Sequence, residues 1–388
     1  MKHFIFVIFC TAFVLSSCNR NDKNQLERIV VDGTERVKFS NLFSDVSIIV
    51  PQTNDSSMFG LEIRRLEMHR GRLYLLNEMQ SGKNVLCFNN KGDFLYSIDK
   101  YGSGPGEYTY FGDFFIDRKK NCLIIIGDNN KWFYFDMDGK YLYSDKDPEN
   151  KIRYYTNEFN DSLFLSYVGC SENNFNNIHL VNRFNRNTTY SMNSGPLHKL
   201  YTPRLPLCHS NGIAYYYCGN DTIYDISSQL GEIKPVFYFD FGRKQKEFKS
   251  KFVQFADEDK MSLLVKEFKE NGLRMTVYYI ANDDYFTICY IENSPGVELA
   301  IFNNVFYDIK SKKSYNSKNI DFDIFNINTR LDIYMLGCFD GYFYAVVKNK
   351  FSNEEINAIK NCKFLNETTR NRLMQFDDMS NSIMLKFR

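Results

Sequence analysis

A polar turn followed by a short aliphatic or aromatic run recurs six times along this chain, and that repetition constrains the fold more than any other feature. The copies read His69-Arg-Gly-Arg-Leu-Tyr-Leu-Leu, Arg118-Lys-Lys-Asn-Cys-Leu-Ile-Ile-Ile, Asn160-Asp-Ser-Leu-Phe-Leu-Ser-Tyr, Ser210-Asn-Gly-Ile-Ala-Tyr-Tyr-Tyr, Asn282-Asp-Asp-Tyr-Phe-Thr-Ile and Phe339-Asp-Gly-Tyr-Phe-Tyr-Ala-Val-Val. With Leu73, Leu123, Leu163, Ile213, Tyr285 and Phe343 as markers, successive copies lie 50, 40, 50, 72 and 58 residues apart. Repeats of this size mark architectures whose units bury their faces only against neighbouring units.

A second motif completes the unit. Leu86-Cys-Phe-Asn-Asn-Lys-Gly-Asp-Phe-Leu-Tyr-Ser matches Phe133-Tyr-Phe-Asp-Met-Asp-Gly-Lys-Tyr-Leu-Tyr-Ser almost position for position. Each is a strand, a tight turn holding Gly92 or Gly139, and another strand; the glycine supplies the positive φ that such a hairpin needs. Each unit therefore reads as four short antiparallel strands. The fold class that follows is all-β: a six-bladed β-propeller of four-stranded antiparallel blades. The abundance of 36 Phe and 27 Tyr suits strands.

Two stretches break the strand pattern. Residues 244–272 carry Phe248, Phe252, Phe255, Leu264 and Phe268 at helical spacing among charges, which predicts a helical excursion between blades four and five. Residues 353–374 predict a second helical insertion, inside the last blade, introduced by Ser352-Asn353-Glu354-Glu355. The alternating runs 46–50 and 382–387 remain unassigned to other blades. They are expected to pair and so remove the open sheet edges of the ring.

The N-terminus is of another kind. Lys2 precedes a twelve-residue apolar stretch from Phe4 to Leu15, short of the roughly 20 residues of a membrane-spanning helix and suited to a secretory signal. Leu15-Ser16-Ser17-Cys18 resembles the lipobox of bacterial lipoproteins, which makes Cys18 the expected lipidation site. Acyl chains there would tether the protein, since each buried methylene contributes about 0.8 kcal/mol. Asn19 stands where an inner-membrane retention signal would place Asp, which favours the outer membrane; the side faced is left open. The expected organisation is a signal peptide at 1–17, a lipidated Cys18 and polar tether at 18–40, and a propeller at 41–388.

Charge excludes one class of partner. With 48 basic and 47 acidic residues and no basic stripe, nucleic-acid binding is not expected. Cys87, Cys122, Cys170, Cys208, Cys218, Cys289, Cys338 and Cys362 are scattered and form no CxxC, so zinc-ribbon, thioredoxin-type and attached-haem sites have no support. They read as small buried hydrophobes, with Cys208 and Cys218 the pair to test for a disulfide.

Tyr101-Gly-Ser-Gly-Pro-Gly-Glu-Tyr108 resembles the GxGPGEY junction between the first two blades of a known group, the six-bladed β-propeller lipoproteins related to NHL-repeat proteins that abound in Gram-negative gut bacteria. Asp45-Val-Ser-Ile-Ile-Val-Pro-Gln-Thr-Asn-Asp-Ser resembles its first strand and Ser380 to Arg388 its closing strand; the turn motifs of blades three to five are worn. The resemblance implies fold and export. Many of its members lie among outer-membrane systems for handling glycans or peptides, and fold alone transfers no activity.

Few residues tempt a chemical assignment. Gly102, Gly104 and Gly106 lack the Lys-Ser/Thr of a phosphate loop, and Pro105 removes an amide donor, so a structural turn with Glu107 as an amide cap is the better reading. Of His69, His179, His198 and His209, His69 and His209 occupy comparable places before a second strand and are the weak metal candidates. Trp132, the sole tryptophan, reads as packing between blades rather than a sugar platform. Asp136, Asp138 and Gly139 read as a hairpin turn rather than a calcium loop. No GxSxG, HExxH or Ser/His/Asp spacing occurs. The expected function is a membrane-anchored binding or scaffold module for a glycan, peptide or protein, with no cofactor. The alternatives are a metal-assisted lyase or hydrolase at the central channel, and a structural member of an outer-membrane complex.

Overall fold

The computed structural model describes residues 26–59, 63–79, 82–168, 178–192, 207–210, 213–217, 221–226, 234–252, 257–292, 301–327, 329–348, 350–363, 365–377 and 379–388, with only the backbone of 207–210, 213–217, 251–252, 257–261, 264–265 and the single positions 79, 129, 249, 275 and 301. Six sheets succeed one another around an axis. Blade 1 holds Ile63–His69, Arg72–Met79, Gly82–Asn89 and Phe94–Ile98; blade 2 holds Phe111–Asp117, Cys122–Gly127, Lys131–Phe135 and Tyr141–Lys146. Blade 3 is Arg153–Glu158, Leu163–Val168, Ile178–Asn182 and Thr188–Met192; blade 4 is Leu207–Ser210, Ile213–Tyr217, Thr222–Asp225 and Lys234–Asp240. Blade 5 is Met275–Ala281, Tyr285–Glu292, Ile301–Asp308 and Lys313–Asn316. Blade 6 combines Ile333–Phe339 and Tyr342–Val347 with Met384–Phe387 and Val46–Ile49. The protein is thus a six-bladed propeller of four-stranded antiparallel blades, and every one of the six sequence markers lies in the second strand of its blade.

Sequence chemistry explains the hairpins. At the turn between the outer strands of blades 1 and 2, Gly92 and Gly139 have φ of 83° and 81°. A Cβ on Gly139 would also lie 2.6 Å from the ring of Tyr96 in blade 1, so the turn fits only because that position is bare. Between blades the filling is aromatic and aliphatic. Trp132 is fully buried, its ring 5.5 Å from Phe115 in its own blade and 6.0 Å from Phe164 in blade 3.

The strands nearest the axis share an irregularity. The pairing register slips by one residue at Arg64, Gly112, Tyr154, Val277 and Leu336, that is, in blades 1, 2, 3, 5 and 6. Such a bulge bends the strand and re-aims the side chains beyond it. In blades 1 to 3 the next residues are Arg65, Asp113 and Tyr155, and these three meet at the axis.

The ring closes in blade 6. Met384 pairs with Ile49 and Phe387 with Val46 in an antiparallel ladder, so the two ends of the chain supply adjacent strands of one blade. Phe387 anchors the closure, its ring 5.0 Å from Phe39, 4.7 Å from Phe43 and 5.5 Å from Phe343. The helical insertions fall where the sequence places them. Arg243–Phe252 and Asp257–Asn271 separate blades 4 and 5, while Asn353–Lys360 and Glu367–Leu373 follow the second strand of blade 6. The Ser352 hydroxyl accepts from the Glu355 amide and the Glu355 carboxylate accepts from the Ser352 amide, a capping box.

The tether expected at 18–40 is corrected over its described part. Glu27–Val30 adds to blade 4 as a parallel fifth strand on Lys234–Asp240, with Ile29 and Val31 wholly buried. Val37–Lys38 pairs with Ile320–Asp321, and the Ser40 hydroxyl donates to Asp323 at 2.6 Å. The propeller unit therefore begins by Glu27, because a short apolar alternation can dock on an existing sheet edge without forming a hairpin of its own. Residues 1–25, including Cys18, lie outside the described residues, as do Cys170, His198 and Cys218.

Replacing Phe387 with Ala is expected to destabilise the fold by about 3–5 kcal/mol, the usual loss for a buried Phe truncated to Ala. Urea denaturation of the two proteins measures this, and a loss under 1 kcal/mol would show that the closing blade does not carry the ring's cooperativity.

Candidate functional site

The first hairpins of the blades gather around one end of the axis. They enclose a cavity of about 730 Å³ lined from blades 1, 2, 3, 5 and 6, within the usual range for small-molecule sites. Its two sides differ in chemistry.

Blades 1 to 3 present a chain of alternating charges. Asp113 accepts from Arg65 Nη1 at 2.6 Å, and Arg65 Nη2 donates to Glu67 at 2.7 Å. Glu67 is joined in turn to Arg118 at 3.1 Å, Arg118 to Glu158 at 3.0 Å, Glu158 to Arg183 at 2.8 Å, and Arg183 to Asp117. Arg65 reaches furthest: it also donates to the Thr156 carbonyl at 2.8 Å and to Asn157 at 3.1 Å, with its guanidinium 4.3 Å from the centre of the Tyr155 ring. One side chain from blade 1 thereby holds blades 2 and 3. Blades 5 and 6 present Tyr279, Ile280, Leu336, Cys338 and Phe339 instead, with the charge of Asp340 at the rim.

Burial sets the electrostatics. It pushes the Asp113 carboxyl up to about 6, against the pull of Arg65 and the Thr156 amide. Burial opposes the charge of Arg65, but Asp113, Tyr155 and Glu67 outweigh it and hold the guanidinium above its ordinary value. At neutral pH both partners are ionised. The carboxylates of this chain are each engaged by a guanidinium, so none is left as a bare ligand for a metal ion. Among the described residues no group of three or more His, Cys, Asp or Glu is placed to hold one.

The residues singled out in the sequence lie elsewhere. His69 Nε2 is 2.9 Å from Asn121 Oδ1, joining the hairpin tips of blades 1 and 2. His209 lies in the first strand of blade 4, where side chains are not described. His179 is buried in blade 3, within 3.3 Å of the Thr188 hydroxyl. Gly102, Gly104, Pro105 and Gly106 form a turn whose Gly104 amide donates to Glu107 at 2.8 Å. Asp136 accepts from the amides of Asp138 and Lys140 at 3.0 and 2.8 Å, closing the hairpin at Gly139. Cys208 is described only in its backbone, and the Cys208/Cys218 pair lies outside the described residues. Cys87, Cys122, Cys289 and Cys362 are buried; burial pushes the Cys87 thiol up to about 11 and those of Cys122 and Cys289 to about 12.

None of the seven charged residues of the network was a sequence candidate. A signal existed: Arg65, Glu67 and Asp113 interrupt runs otherwise apolar enough for central strands, and a charge kept in such a run needs a buried partner.

Removing one member should expose the rest. Arg65→Met leaves the buried Asp113 without its cation, and Glu67 with Arg118 alone, and is expected to destabilise the fold by about 3–5 kcal/mol, read from denaturant unfolding. The pH dependence has a definite sign. Because Asp113 titrates higher in the folded chain than its ordinary 3.8, its contribution is fully present below that value and is lost as pH rises through about 6. Wild-type stability relative to Asp113→Asn should therefore fall between pH 4 and 6 and level off above; a flat difference would refute the buried-carboxyl assignment.

Comparison with known proteins agrees with this architecture. One solved structure, a member of the DUF4221 family from Bacteroides vulgatus, is 8% identical and matches 89% of this chain and 97% of its own at a TM-score of 0.51. Looser matches are U3-55K, 10% identical over 89% of this chain and 99% of its own at 0.43, and a protein of unknown function from Bacteroides caccae, 12% identical over 60% and 71% at 0.34. Comparison with curated proteins finds no match. A family model described as a domain of unknown function, DUF4934, matches residues 26–383, starting within one residue of the first strand on blade 4 and ending at the start of the closing strand. The chain belongs to the DUF4934 family.

Proposed function

We propose that this protein is an exported, lipid-anchored binding module whose ligand sits in the cavity at the hairpin end of the axis. The observation that carries the reading is the cavity itself. Its polar wall is fixed before any ligand arrives, since Arg65, Glu67, Arg118, Glu158 and Arg183 already hold one another in place. A pre-organised wall loses little entropy on binding. Guanidinium groups occupy the carboxylates of the network, the described residues hold no group of three or more metal-ligating side chains, and His69 faces Asn121 instead. That alternative gains no support from the site. Anchoring rests on the leader and on Leu15-Ser16-Ser17-Cys18, and the expected location is the outer membrane.

Two experiments test the parts separately. Cys18→Ala expressed in a Gram-negative host should move the protein from the membrane fraction to the soluble fraction and abolish incorporation of labelled palmitate; membrane retention without label would overturn lipid anchoring. For binding, pools of neutral oligosaccharides and of short peptides are screened by thermal shift against wild type and Phe339→Asp. A ligand at one hundred times its Kd contributes about 2.7 kcal/mol, so one pool should raise the wild-type Tm by several degrees and leave the variant unmoved. Catalytic turnover of a pool component that requires Glu158 would replace the binding reading with an enzymatic one.

A further inference from the structure

Building on the binding reading above, we infer that the ligand class is a short zwitterionic peptide with free amino and carboxyl ends, laid across the cavity mouth. The inference comes from the charges at the hairpin tips that the internal network leaves over. Beside the network's Arg118, the tips of blades 1 and 2 carry Arg70, Lys119 and Lys120, of which Lys119 lines the cavity. The tips of blades 5 and 6 carry Asp283, Asp284 and Asp340, and Asp340 lines both the main cavity and an adjoining hollow with Asp283, Asp284 and Asp308. In a ring of six blades the second faces the fifth, while the second and the sixth stand on either side of the first. Lys119 and Asp340 thus line the mouth from two sides of blade 1, with the further acids of blade 5 across the axis from blade 2.

The compensating groups are few. Lys310 pairs with Asp284 at 2.6 Å, and Arg388 lines the hollow. On the basic side Asp161 stands beside Lys119, whose ammonium lies 3.4 Å from the Asp161 carbonyl. Among the described residues Lys119 is otherwise held only by the face of Phe184, 5.6 Å away, and the Asp340 carboxylate has no hydrogen-bond or ion-pair partner. Each is an exposed charge at the mouth of a pre-formed cavity, and the two are of opposite sign.

Size and the remaining wall narrow the class. A single amino acid carries both charges on one Cα and cannot reach two sides of a cavity of 730 Å³. An extended chain gains about 3.3–3.6 Å per residue, so a tripeptide spans about 10 Å between its ends. The side chains of such a peptide would meet Tyr155, Tyr279, Leu336 and Phe339, which suits an apolar or aromatic central residue. The carboxylate end would lie toward Lys119 and the ammonium end toward Asp340.

The probe is a pool of tripeptides with central Phe, Leu or Tyr in three forms: free, N-acetylated and C-amidated. Binding is read by equilibrium dialysis with the mature protein, alongside a pool of neutral oligosaccharides. Free tripeptides should bind, and either cap should weaken them about tenfold or more. In Asp340→Asn the N-acetyl cap should cause no further loss, and in Lys119→Met the amide cap should cause none. Both positions are exposed, and asparagine tolerates the φ of 52° at Asp340, so both variants are expected to fold; circular dichroism checks this. Equal binding of capped and free peptides overturns the inference. Binding of oligosaccharides alone, lost in Phe339→Asp, also overturns it while leaving the binding reading intact. If neither pool binds, both fall.

Discussion

The antiparallel ladder between Val46–Ile49 and Met384–Phe387 is the contact on which every other arrangement depends. A blade alone leaves two faces and two edges exposed, and only a closed ring lets each face meet another. Pairing strands more than three hundred residues apart in sequence has a large loop-closure cost. The chain offsets it with a cluster of rings: Phe39, Phe43, Phe306, Phe343 and Phe387 gather beneath the ladder. The inserted helices add a second fastening, since Thr369 donates to the Ile48 carbonyl at 3.1 Å and Arg372 reaches both Val50 and Asp93 of the neighbouring blade.

Inside the ring the interactions that hold blades together change character. Away from the axis they are rings and aliphatic chains, as where Trp132 meets Phe164. At the axis of blades 1 to 3 they are ion pairs, with Arg65 in contact with three blades at once. Buried ion pairs of this kind add little net stability over apolar packing, yet removing one partner is severe. Retaining them at the cavity makes sense if their use is to hold polar groups at fixed positions for something that arrives later. The repeated bulge makes this possible by turning the residues after Arg64, Gly112 and Tyr154 toward one another.

The fold was legible because a propeller repeats its signal. The turn before each second strand needs positive φ or small polar residues, so Arg70-Gly71, Asn121 and Asp340-Gly341 leave marks that a reader can align. The helices were legible for the same local reason, through Ser352 and Glu355 and through aromatic spacing. The strand at Glu27–Val30 was not, because it is one strand whose partner, Lys234–Asp240, lies two hundred residues away. The site was hidden for a related reason. Arg65, Asp113, Glu158 and Arg183 sit in three different blades at spacings set by loop lengths, and only the closed ring brings them together. The glycines and His69 that stood out are conspicuous by residue type, and the structure uses them in turns and a tip contact.

The strand that docks on blade 4 gives the molecule a mechanical polarity. Tension on the chain upstream of Glu27 meets the ladder with Lys234–Asp240 first, then the pairing of Val37–Lys38 with Ile320–Asp321, and then the Ser40–Asp323 contact. Only after these does load reach Val46. These fastenings in series, with the Asn316–Val31, Arg274–Asp32 and Asn319–Gly33 contacts among them, stand between the leading end of the chain and the seam of the ring. A pull from that end is taken up by detaching a strap, with the seam and the charged wall of the cavity shielded from it.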